Sequence, residues 1–206
     1  MPRGLASLAA GALLAASAAS AQPAPAGGED DVHRHRGLFV RLDGGLGYLR
    51  SSSMLNGEDA SLSGLAMSLG FSLGGNVRED LSVFGHAAIS SAPGPSASLG
   101  GSSGGSDAWL NLVSVGPGVS YYFMPSNVYV SAVLSLTGLF AAGKNRSGNS
   151  EVGLGARFAV GKEWWVGDRW GIGVAGQFSF GSNQDQGSAA HWKTISPALA
   201  FSATFH

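Results

Sequence analysis

Val152-Gly-Leu-Gly-Ala-Arg-Phe-Ala-Val160 sets the pattern for most of the chain. Every even position is apolar, and the odd positions are Gly153, Gly155, Arg157 and Ala159. Successive side chains of an extended strand point to opposite faces, so this segment has one apolar face and one small or polar face. The same period of two recurs on both sides of it, broken by clusters of Gly, Ser, Asn and Asp that mark turns.

Eight such segments follow one another from residue 37. The reading predicts strands over about 37–49, 62–73, 80–90, 108–123, 127–141, 151–165, 169–180 and 191–206. Bulky faces run Leu38, Val40, Leu42 and Leu46 in the first, Leu65, Met67, Leu69 and Phe71 in the second, and Ile172, Val174, Phe178 and Phe180 in the seventh. The opposite faces are small, as in Ser68, Gly70 and Ser72, or Gly116, Gly118 and Ser120. They carry too little charge for a water-facing exterior and suit the crowded inside of a narrow barrel. The bulky face then meets lipid, which cannot satisfy free backbone groups, so the sheet must close on itself. The expected fold class is all-β, a closed antiparallel eight-stranded up-and-down transmembrane barrel over residues 37–206.

Composition supports a surface that meets something other than water. Only 12% of the 206 residues are charged, against roughly 25% in soluble proteins. A net charge of −1 offers no electrostatic case for nucleic acid. The absence of cysteine excludes disulfides and thiolate sites. Residues 1–21 read as a secretory signal peptide: Arg3, a Leu/Ala-rich run, then Ala19-Ser20-Ala21, with cleavage expected after Ala21. Residues 22–36 mix Pro, Gly and charge and read as a flexible periplasmic lead-in. His33 and His35 flank Arg34 in that stretch. Such spacing could touch a metal, but it reads here as a solvated basic tail, and neither a metal site nor a cofactor is expected.

Connections alternate between longer (about 50–61, 91–107, 142–150, 181–190) and shorter (about 74–79, 124–126, 166–168), the signature of outer-membrane barrels. The long loops then face outside and both termini face the periplasm. Aromatic girdles are expected of such a barrel at the two lipid headgroup levels. Tyr121, Phe123, Trp164, Trp170 and Phe205, with Phe39, fall near the periplasmic strand ends, and Tyr48 and Trp109 near the other. Pro117 and Pro197 interrupt predicted strands and imply bulges. The polar residues predicted to face the lumen are Arg41, Asp43, His86, Arg157, Glu163 and Gln177. Buried charges must pair, so they read as a structural network. Arg157 and Glu163 lie roughly 20 Å apart along one strand, too far to pair directly, which places Glu163 near Arg41 and Asp43.

Four stretches carry a family resemblance: Leu42-Asp-Gly-Gly-Leu-Gly-Tyr48, Gly116-Pro-Gly-Val-Ser-Tyr-Tyr-Phe123, Gly161-Lys-Glu-Trp-Trp165 and Phe201-Ser-Ala-Thr-Phe205. With them the chain resembles small eight-stranded outer-membrane barrels of the OmpA/OmpX-like class. The resemblance implies residence in the outer membrane of a Gram-negative bacterium, contact with its lipid, and insertion by the barrel-assembly machinery through a C-terminal strand ending in an aromatic residue. Phe205 fits that signal, and the His206 that follows departs from it. Catalytic barrels carry further signatures. The His-x-Ser motif of lipid A deacylases and the Asp-Ser pair of the palmitoyltransferases are both missing, and the rim carboxylates of omptin-type proteases have only Asp185 beside His191 as a counterpart. The expectation is a barrel without catalytic activity, with a structural envelope role or a surface-interaction role through external loops whose ligand the sequence does not name. The alternatives are a barrel enzyme acting on lipid, with His86 or His191 as base, and a soluble exported ligand-binding barrel.

Overall fold

The computed structural model describes residues 33–55, 57–143, 147–186 and 189–206. Every described element is a strand. In chain order they are β1 (Gly37–Leu55), β2 (Glu58–Arg78), β3 (Leu81–Pro93), β4 (Ser96–Leu99), β5 (Ser102–Gly105), β6 (Trp109–Phe123), β7 (Val128–Ala142), β8 (Ser147–Asn149), β9 (Gly153–Trp165), β10 (Trp170–Gln184) and β11 (His191–Phe205). The eight long strands pair antiparallel with their neighbours in the chain, and β1 pairs with both β2 and β11, so the sheet has no free edge. This is the closed, eight-stranded, up-and-down barrel expected from the alternation.

The two faces are distributed as the period of two dictates. Leu65, Leu69, Leu134, Leu154, Val160 and Leu199 all point outward and are well exposed, while Ser68, Ser72, Ser120 and Ser196 are buried inside. The outward Trp109, Tyr121, Phe123, Trp164 and Trp170 stand near the strand ends, and Phe205 packs edge-on against Trp170 with ring centroids 5.4 Å apart. Tyr48 also points outward but departs from the expected girdle: β1 runs on to Leu55, which leaves Tyr48 well inside the strand. Phe39 departs from the girdle expected of it. It is fully buried in the lumen, stacked on Phe84 at 5.2 Å, because Leu38 and Val40 take the outward positions on either side.

The lumen is also less uniformly small than the sequence implied. Phe39, Phe84, Tyr122, Tyr129 and Val133 fill one end, and Leu49, Ala92, Leu110, Leu112 and Leu139 fill the other. The first end carries both chain termini of the barrel and the short connections 79–80, 124–127 and 166–169; it is the turn end. The opposite, loop end carries the longer connections after β3, β7 and β10, and a tight one between β1 and β2.

Two expectations about irregularities are corrected. Residues 50–55 and 58–61 are strand, not loop: β1 and β2 continue as a ladder until Leu55 pairs with Glu58. Within the Gly/Ser-rich stretch 91–107, β4 and β5 form a hairpin, and β4 pairs with β2 at Ala60–Ser63. Neither proline makes a bulge. The register is the same before and after Gly116–Pro117 against β7, and before and after Pro197 against β1. A proline lacks the N–H of one ladder bond but adds no residue to the strand, so pairing lapses there without slipping. The register shift falls instead between Asn76 and Arg78, beside the first short turn.

Candidate functional site

The lumen residues singled out by parity are all buried, and β1 and β9 bring four of them together across the barrel. Arg41 Nη2 donates to Glu163 Oε1 at 2.9 Å, and Arg157 Nη2 donates to Asp43 Oδ1 at 2.7 Å. Arg157 and Glu163, too far apart to pair with each other, each take a partner on β1. Two arginines thus meet two carboxylates, and the buried charge balances. Gln177 on β10 completes the second bridge: its Nε2 donates to Asp43 Oδ1 at 2.9 Å and its Oε1 accepts from Arg157. Two glycines leave room for the carboxylates. A Cβ on Gly173 would lie 2.8 Å from Glu163 Cγ, and one on Gly70 would lie 2.8 Å from Asp43 Cγ.

The first bridge is the more heavily supported. Glu163 also accepts from Thr204 Oγ1 at 2.7 Å and from Tyr122 OH at 3.4 Å, while Arg41 Nε donates to Thr204 Oγ1 at 3.2 Å. The Arg41 guanidinium lies over the Tyr129 ring, 4.2 Å from its centroid, a favourable cation–π geometry. Tyr122 and Thr204 had a signal in the sequence, since both fall on the inward parity of their strands.

His86 stands apart from these bridges. It is hydrogen-bonded to Ser72, its cross-strand partner, with Nδ1 and Oγ 2.9 Å apart. A serine and a histidine within reach are the start of a nucleophile–base pair. Both are buried, however, and the cavity beside them, bordered by Arg41, Asp43, His86, Arg157 and Gln177, holds only about 20 Å³. That is room for about one water.

His35 and His206 were not foreseen. His35 is fully buried and does not behave as part of a solvated tail: its ring stacks on His206, with centroids 3.9 Å apart, and lies 4.1 Å from Tyr122. His206 Nε2 lies 3.2 Å from Glu163 Oε2. Burial lowers both imidazoles below their ordinary range, His35 to about 4, so both are neutral at neutral pH. The segment leading to β1 is pinned as well. Arg34 and Arg36 reach Glu79 at 3.4 and 3.0 Å, and the His33 N–H donates to the Asp168 carbonyl at 3.2 Å. Residues 22–32 of the expected lead-in, and the expected signal peptide, lie outside the described residues.

This architecture is shared with solved outer-membrane proteins. Neisserial surface protein A is 17% identical with a TM-score of 0.50, over 79% of this chain and 95% of that one. The outer membrane protein OprG from Pseudomonas aeruginosa is 15% identical with a TM-score of 0.52, over 85% of this chain and 100% of that one. The chain has the fold of a small outer-membrane β-barrel. At these identities the likeness is one of fold alone. No family model matches the chain, and no curated protein matches it in sequence.

Proposed function

We propose that the chain is an outer-membrane barrel of a Gram-negative bacterium, exported with removal of residues 1–21, that has no catalytic activity. It stiffens the envelope or presents its loop end, including the β4–β5 hairpin, to partners outside the cell. One observation carries this reading. A wall of exposed leucine, valine and phenylalanine surrounds an interior filled by paired charges and packed aromatics, with a central cavity of about 20 Å³. Such a wall is stable against hydrocarbon and unstable against water, and such an interior has no room for a substrate or an ion path. Outer-membrane lipid is then the direct partner, and the barrel-assembly machinery the transient one.

Fractionation of cells producing the chain, followed by gel electrophoresis with and without boiling, tests the location. The expected result is a heat-modifiable band in the outer-membrane fraction; a soluble periplasmic band that boiling does not shift would overturn it. Purified barrel in a planar bilayer should give no steady conductance, and incubation with phospholipid or lipid A should release or transfer no acyl chain. Turnover lost in His86→Ala would instead establish the barrel as a lipid enzyme.

A further inference from the structure

Three ligand-type side chains from separate parts of the chain meet at the turn end: His35 ahead of β1, Glu163 on β9 and His206 after β11. One ligand atom from each lies within 4.8 Å of the other two, and none of the three residues is more than 2% exposed. Hydrogen bonding decides which nitrogens are bare. The Glu79 carbonyl, 2.9 Å from His35 Nδ1, can only accept, so Nδ1 carries the proton and Nε2 presents a lone pair. That Nε2 is buried without a hydrogen-bond partner, and so is His206 Nδ1. A histidine that gives its far N–H to a backbone carbonyl is held in the tautomer that binds metals.

We propose that His35, Glu163 and His206 hold one divalent transition-metal ion of the zinc class. Two neutral imidazoles and one carboxylate suit zinc, nickel or copper better than the all-oxygen preference of magnesium or calcium. Ligand atoms in a tetrahedral zinc site stand roughly 3.3 Å apart, given metal–ligand bonds of about 2.0–2.1 Å. His206 Nε2 and Glu163 Oε2 are already 3.2 Å apart. The ion takes the place of the proton between them, which moves to the unpartnered Nδ1 of His206. Arg41 stays on the other oxygen, Oε1, so Oε2 is the one turned to the imidazoles. His35 closes the remaining gap by turning its ring off the His206 stack, while the contacts of His33, Arg34 and Arg36 keep the backbone of the segment in place. The bound ion would tie the segment before the first strand to the residue after the last.

The test uses the full barrel without a histidine tag, folded in detergent or lipid and titrated with Zn²⁺ and Co²⁺. One equivalent should bind per chain, and Co²⁺ should develop the visible absorption of a low-coordinate nitrogen–oxygen site. His35→Ala and His206→Ala should each weaken binding at least tenfold, while His33→Ala and His191→Ala leave it unchanged. Glu163→Gln can upset folding through Arg41, so the His35 variant, outside the sheet, is the deciding one. Binding of well under one equivalent, or binding that survives loss of both His35 and His206, would overturn the proposal. So would binding that disappears with His33 or His191.

Discussion

The two ends of the lumen are filled by different means. At the turn end, the Arg41–Glu163 pair crosses from β1 to β9 with its guanidinium among the rings of Phe39, Tyr122 and Tyr129, and the Asp43–Arg157 pair follows it toward the middle of the barrel. At the loop end, Leu49, Leu110, Leu112 and Leu139 pack together, and polar contacts are between uncharged groups: Ser51 with Thr194 at 2.9 Å, and Asn183 with Thr137. Charged pairs fix direction because each partner must find its opposite, whereas an apolar cluster tolerates repacking. On that physics the turn end is expected to specify one arrangement of the strands and the loop end to supply bulk.

The sharpest way to break this contrast is to orphan a charge. Arg41→Met leaves Glu163 buried without its cation, and the expected loss is about 3–5 kcal/mol, read as the midpoint of urea unfolding in lipid vesicles. Adding Glu163→Gln should recover part of that loss, because no lone charge remains; a double variant no better than the single one would mean that packing dominates. A smaller effect belongs to the loop end. Leu110→Ala opens a cavity in the apolar cluster and should cost about 2–4 kcal/mol by the same measurement. The smallest is Ser51→Ala, which removes one neutral hydrogen bond and should cost about 1 kcal/mol. If Leu110→Ala proved more damaging than Arg41→Met, the roles assigned to the two ends would be reversed.

Much of this was legible in the chain. The period of two gave the strands, their number and their outward faces, and parity placed Arg41, Asp43, Arg157, Glu163 and Gln177 inside. Spacing along β9 ruled out an Arg157–Glu163 pair and placed Glu163 near Arg41 and Asp43; the pairing of Arg157 with Asp43 came only with the structure. What stayed hidden was hidden for physical reasons. His35 and His206 flank the strands, where parity has no hold, and their burial depends on turns that close over them from elsewhere in the chain. Phe39 was misplaced because an aromatic near a strand end fits a girdle by composition, while only its parity reveals that it points inward. The ladder over residues 50–55 and 58–61 was missed because Ser weakens the pattern there. The prolines misled because a missing donor and an inserted residue look alike in a sequence.

The seam between β1 and β11 has a consequence for how the molecule is made. It joins Val40 to Phe205 and Arg41 to Thr204, residues of the first and last strands of the barrel. Contacts so distant along the chain are the slowest to form, since the whole intervening length must be ordered first. A nascent chain stopped short of the eleventh strand would be a curled ribbon with two raw margins, unable to seal by itself and prone to join its neighbours. Quality control of synthesis is thus written into the connectivity: only a molecule translated to its final strand can become a finished cylinder.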